Sequence, residues 1–378
     1  MHDPGKISGL QMIYLLINVV GATALVFLPG LTASIAGRDA WVAPVLATLP
    51  GFYVILVITA LGRRFPDRTI VQYIEKLLGP WLGKIIAFCY VLFFLHVNGV
   101  IVREFGELVA AAIMPQTPQV VFSALMVAVC SYGVYHGLEV VARVMELTYP
   151  LMLMLFGLIL ILVSGHMQLA NLFPMFQSDF KTIIRSSLNP ISWRGEVFLL
   201  GMFFTYLARP DLARRNGIIA VLVIGLLLTI NAIACTAVFG VSTGRFNFAT
   251  FELVRLAGFG TFLNRLDAIW IIIWIVGIFG KVALFHYSTI MGTVQLLRLK
   301  DHRSIIVPLS ILLIALSLSQ FKNLTDMLAW INGPWIPYAY LFEMGIPTVL
   351  LLLAFLREKS ASTGNPFKPK STGISGKK

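Results

Sequence analysis

Three basic side chains, Arg103, Arg194 and Lys281, and five acidic ones, Glu104, Glu107, Glu146, Glu196 and Glu343, sit inside long apolar runs of this sequence. Ionisable groups in such surroundings are costly unless they pair with one another or line a path for a ligand or ion. Arg103 precedes Glu107 by one helical turn, with His96 and Gly99 on the same stripe and Glu104 flanking it. The spacing allows either a self-neutralised pair that locks its helix in the bundle or the wall of a ligand or water path. Lys281 is different, because it lies near the middle of its run with no acid close by in that run. Its partner must come from another helix, and Glu196, Glu146 and open backbone carbonyls of the first run are the candidates. The amine then serves either as a titrating group in proton coupling or as a structural tether.

Residues 187–207 carry Asn189-Pro190 followed by Trp193-Arg194-Gly195-Glu196. Pro190 has no amide hydrogen and Gly195 has little helical preference, so the backbone between them is expected to open. Open backbone at membrane depth is tolerated only where it lines a protein or water-filled cavity. The plainer alternative is a helix that starts late, at Glu196. Gly21-Ala22-Thr23 in the first run offers a second flexible point, from which an outer half-helix would aim free amides at an anion. The alternative there is a small-residue patch packed on a neighbouring helix.

The elements that must hold these groups are set by composition. At 58% hydrophobic and 12% charged residues, with a mean hydropathy of +0.86, the chain is that of an all-α polytopic membrane protein. Ten transmembrane helices are expected near 9–28, 41–61, 82–113, 120–135, 140–164, 187–207, 217–239, 268–297, 305–318 and 335–356. Two amphipathic surface helices are expected at 69–76 and 248–256. Pro347 cannot donate to the carbonyl of Glu343, so the last span should kink there. Five spans separate the starts of the two interrupted ones, and an odd offset inverts orientation. One domain over 1–358 follows, with inverted 5+5 repeats at about 8–164 and 187–356, each opening with a discontinuous helix. Secondary transporters share this plan and place their site between the halves.

The net charge of +12 does not point to nucleic acid, because Lys and Arg cluster in short segments between apolar runs. Arg63, Arg64, Arg68, Lys76 and Lys84, and later Arg209, Arg214 and Arg215, fall on the side of the N-terminus, so both termini are expected in the cytoplasm. The segment 359–378, rich in Ser, Gly, Pro and Lys, reads as a disordered basic tail. Cys89, Cys130 and Cys235 stand apart from one another and from His, so no disulfide, metal or cofactor is expected. The first run begins too directly, without a small-residue cleavage pattern, to be a signal peptide. Walker and HExxH patterns do not occur, which argues against a membrane enzyme.

Several segments, in this order and spacing, resemble the spore germination permease family (GerAB type) of the amino acid-polyamine-organocation superfamily. They are KISGLQ before the first span, YIEKLLGPWLGK before the third, GLEVVARVMEL opening the fifth and NLFPMF after it. WRGEVF in the sixth and FELVRLAGFGTFLNRLDAIWIIIWIVG leading through the eighth complete the set. The resemblance implies a ten-span fold of the leucine-transporter type and a role as the integral membrane B subunit of a germinant receptor in the spore inner membrane. It implies an A-type membrane subunit and a C-type lipoprotein as partners, and an amino acid or similar small nutrient as ligand. Carried onto this chain, the ligand site comprises Gly21, Ala22 and Thr23 with Trp193, Gly195 and Glu196. Thr23 stands where relatives often carry a second Gly, so its hydroxyl is expected to donate there. A different class remains open: a proton-coupled amino acid permease in which Lys281 or Glu196 titrates and Arg103, Glu104 and Glu107 border the water path.

Overall fold

The computed structural model describes residues 6–257 and 266–363. Its helices, in order, are α1 (Gly9–Ala36), α2 (Val42–Arg64), α3 (Ile70–Leu78), α4 (Pro80–Ala112), α5 (Gln119–His136), α6 (Leu138–Val163), α7 (Phe180–Gly195), α8 (Leu200–Phe203), α9 (Ala213–Phe239), α10 (Ala249–Leu256), α11 (Leu266–Leu297), α12 (Arg303–Ser319), α13 (Leu324–Ile331), α14 (Trp335–Tyr340) and α15 (Ile346–Thr363). Among the described residues seven helical stretches are long and apolar enough to cross a bilayer. The longest, Gly9–Arg64, contains both α1 and α2, and α12 with α13 forms a further pair bent by 99°. Large apolar side chains such as Leu125, Leu147, Met154, Ile161, Ile272 and Ile311 point outward, as a bilayer requires.

Local chemistry sets the ends of these elements. Ser8 and Gln11 form a reciprocal capping box at the start of α1, and the Gln11 amide reaches on to Glu146 of α6 at 2.7 Å. Thr69 and Gln72 do the same for α3, whose face of Ile70, Val71, Tyr73, Ile74 and Leu77 is buried. That matches the surface helix expected at 69–76, as α10 matches the one at 248–256. Gly137, at φ +101°, turns the chain tightly between α5 and α6 in a conformation a side chain would strain.

α1 lies at the centre, against α6, α7, α9 and α11, while α11 packs on α4, α5 and α6, and α2 on α7 and α9. Ile7 joins the start of α1 to the end of the sixth span: its amide donates to the Tyr206 carbonyl at 2.8 Å, and its carbonyl accepts from the Ala208 amide at 3.0 Å.

Both expected interruptions need correction. α1 is wound as an α-helix throughout Gly9–Ala36, so the first helix is not discontinuous at Gly21-Ala22-Thr23. Its opening is chemical and lies one turn further on. Pro29 cannot donate to the Leu25 carbonyl, which instead accepts from Asn231 Nδ2 and Thr250 Oγ1. In the sixth span α7 runs from Phe180 through Pro190 to Gly195, then continues as a 3-10 helix over Glu196–Leu199 before α8. The helix stays wound through Pro190; one turn before it the hydroxyls of Ser186 and Ser187 donate to the Ile183 carbonyl, and Asn189 bonds Asn332. The change of winding therefore falls at Glu196, after the glycine, and not between Pro190 and Gly195.

The disturbance expected at Pro347 takes the form of a π-turn over Leu341–Gly345. Residues 359–363 of the expected tail continue α15, while 364–378 lie outside the described residues. Residues 258–265, within the stretch that carries the family resemblance, also lie outside them.

Candidate functional site

Lys281 of α11 is the centre of the polar core. Its ammonium donates to both carboxylate oxygens of Glu196, at 2.8 and 2.7 Å, and to Thr23 Oγ1 at 2.9 Å. With side chains 0% and 1% exposed, Lys281 and Glu196 form a desolvated ion pair. Such a pair persists only with good geometry and its remaining bonds made. Of the three candidate partners, Glu196 is the one engaged, whereas Glu146 is bonded to Gln11. The indole of Trp193 donates to the same Thr23 hydroxyl at 3.0 Å. Thr23 Oγ1 thus accepts twice. Three helices, α1, α7 and α11, are joined here by side chains, and Glu104 of α4 lies beside them with Glu196 and Trp193.

Position on each helix explains the convergence. Trp193 and Glu196 are three apart, so they share a face even as the backbone tightens from α to 3-10 winding between them. Gly195, between them, faces the other way and lets Glu343 of the π-turn approach; a Cβ there would overlap Glu343 Oε2. Gly21 is packed against Ile224 and the Tyr149 hydroxyl in regular helix, so it supplies close packing and no open backbone. The Ala22 carbonyl accepts from the indole of Trp274 at 2.7 Å.

Beside the ion pair runs a narrow cleft lined by Glu104, Glu196, Trp193, Val100, Trp330 and Trp335. It holds about one water as it stands, so it is a closed site that must widen to admit a guest. Its walls offer carboxylates for a cationic group and indole faces for an apolar or cationic one.

The structure brings together Thr23, Trp193, Glu196, Lys281 and Glu104, with Gly195 and Ala22 as neighbours. Arg103 and Glu107 pair with each other at 2.7 Å, and Arg103 Nη1 also reaches the Leu318 carbonyl of α12 at 3.3 Å. Arg194, fully buried, turns toward α2 and donates from Nη2 to the Pro44 carbonyl at 3.3 Å. Sequence reasoning did not single out Trp274, Trp330, Trp335 or the Asn231–Thr250 pair. For the last, the Leu25–Pro29 spacing was a readable signal, because it leaves one carbonyl in need of a donor. An indole inside an apolar run gives no such sign.

The sequence pattern of the spore germination protein family matches residues 6–325. This chain belongs to that family. It is similar to spore germination protein KB of Bacillus subtilis (strain 168), 28% identical over 363 residues, covering 94% of this chain and 96% of the relative. Spore germination protein YndE of the same organism is 23% identical, covering 95% and 99% respectively. Among solved structures, MhsT in complex with L-phenylalanine superposes with a TM-score of 0.66 at 13% identity, covering 94% of this chain and 99% of MhsT. The fold is thus that of the leucine-transporter type, as the sequence led one to expect, and this spore germination protein is a multi-pass membrane protein.

Proposed function

We propose that this chain is the integral membrane B subunit of a germinant receptor, with an amino acid or similar small nutrient as its ligand. The observation that carries the reading is the Lys281–Glu196–Thr23 cluster set beside a tryptophan-lined cleft. An amino acid zwitterion bears both charges of that internal pair. Its ammonium can take the place of Lys281 against Glu196 or Glu104, and its carboxylate the place of Glu196 against Lys281. Exchanging the internal pair for a ligand pair loosens α1, α7 and α11 from one another. Occupancy is thereby converted into helix movement, which bound subunits would sense. The MhsT ligand is an amino acid, which supports the class of guest.

Ligand contacts are assigned to Thr23, Trp193 and Glu196, with Gly21, Ala22 and Gly195 shaping the backbone around them. Lys281 and Glu104 serve charge coupling. Arg103 and Glu107 are assigned to bracing α4 against α12. The reading includes ten crossings in inverted 5+5 repeats, both termini in the cytoplasm, residence in the spore inner membrane, and A-type and C-type partner subunits. The test is germination of spores with and without this gene in single nutrients, followed by loss of refractility. The reading requires at least one amino acid response that disappears with the gene and returns on complementation. Unchanged responses to all nutrients, or uptake of labelled amino acid by the purified chain alone in liposomes, would overturn it.

A further inference from the structure

Glu343 lies on the π-turn of the last span, 1% exposed, with neither carboxyl oxygen bonded to any described residue. No donor around it is bonded to its carboxyl oxygens among the described residues. On its own element, the Tyr340 hydroxyl donates to the Leu188 carbonyl at 2.9 Å. On α4, the Tyr90 hydroxyl donates to the Phe342 carbonyl at 2.7 Å, and the Tyr73 hydroxyl of α3 beyond it has no partner among the described residues. On the sixth span, Arg194 is turned to Pro44 of α2 through Nη2, its Nε and Nη1 bonded neither to Glu343 nor to any other described residue, and Glu196 is an acceptor held by Lys281. Lys281 itself is spent on Glu196 and Thr23, and Glu104 lines the cleft beside Glu196.

A Cβ at Gly195 would overlap the Glu343 carboxyl unless that side chain moved, so the carboxyl is packed against the residue preceding Glu196. Lys281 and Glu196 already neutralise each other. An ionised Glu343 would therefore add a negative charge to the buried core with no described donor bonded to it. A neutral acid would not. π-Turns within helices occur often at functional positions, and this one presents Glu343 to the centre of the bundle.

We propose that Glu343 is a resident proton-binding site of the core, present as the neutral acid in this conformation, pinned by Gly195 and sensed by the Lys281–Glu196 pair. The ligand is a proton, and the site is separate from the cleft that takes the nutrient. It stands whether or not the nutrient assignment does. When the sixth span shifts, the carboxyl loses its apolar cover and meets new neighbours, so the proton can be released with the movement.

Infrared difference spectroscopy of the full-length chain in lipid nanodiscs tests this at neutral pH without any nutrient. Wild type minus Glu343→Gln should contain one positive carbonyl stretch of a protonated carboxylic acid, moved by exchange into D2O. Loss of carboxylate stretches in its place would show an ionised Glu343 and overturn the proposal, as would an unchanged acid region. Should Glu343→Gln fail to fold by its amide bands, Glu343→Asp decides, since it must move the acid band without abolishing it. Coupling is read in Glu196→Gln or, if that variant does not fold, in Lys281→Arg. Either must shift the Glu343 band, and a band that stays in place refutes the link to the ion pair.

Discussion

Among the described residues the bundle contains two internal ion pairs of similar chemistry and opposite construction. Arg103 and Glu107 lie four residues apart on α4, and Glu107 retains 16% exposure. Lys281 and Glu196 are 85 residues apart, both fully buried, and share Thr23 on a third helix. The first pair forms wherever α4 forms and requires nothing of the tertiary structure beyond a carbonyl from α12. The second exists only while α1, α7 and α11 hold their relative positions. A pair contained in one helix braces; a pair divided among three helices can report their arrangement.

Substitutions that separate the two plans fall in order of size. Lys281→Met leaves Glu196 buried and unpaired, which should cost about 3–5 kcal/mol in reversible unfolding in mixed micelles. Lys281→Met with Glu196→Gln should recover most of that loss while the germination response stays absent. Recovery of the response as well would reduce the pair to a structural tether.

Gly195→Ala forces a Cβ into Glu343 and should cost about 1–3 kcal/mol by overpacking. Gly195→Leu should abolish the nutrient response while the protein still inserts in membranes, and a normal response would argue against the site. A smaller effect is expected from Trp193→Phe, which keeps a ring but removes the bond to Thr23. It should cost about 0.5–1.5 kcal/mol and weaken the response to the nutrient without eliminating it.

Smallest is Glu107→Gln, expected within about 1 kcal/mol of wild type with germination intact. Loss of the response in this variant would return the α4 stripe to the functional path. Labelling of cysteine placed at Gly99 would then show whether that stripe meets water.

This contrast also marks what the sequence could reveal. The Arg103–Glu107 pair was legible because its spacing is the helix repeat itself. That Lys281 needed a distant partner was legible from its isolation, and Glu196 was among the three candidates. Choosing among them depended on how α7 and α11 pack, which is a property of the whole bundle. Pro190 and Gly195 were read as a break, yet the helix is wound through both and changes its winding only at Glu196. In α1 the flexible glycine drew attention away from Pro29, whose missing amide is what frees the Leu25 carbonyl. Glu343 was understood only through Pro347 and a kink, because the contact that distinguishes it comes from the sixth span.

The 3-10 stretch at Glu196–Leu199 has a mechanical consequence. Four residues wound at three per turn span about 2 Å more than the same residues in an α-helix, so this segment stores slack along the axis of the span. Rewinding it would shorten the span like a turned screw and rotate Glu196 relative to Trp193. Because Tyr206 and Ala208 are backbone-bonded to Ile7, that pull would be delivered to the root of α1 and tug on the helix bearing Thr23 from its far end.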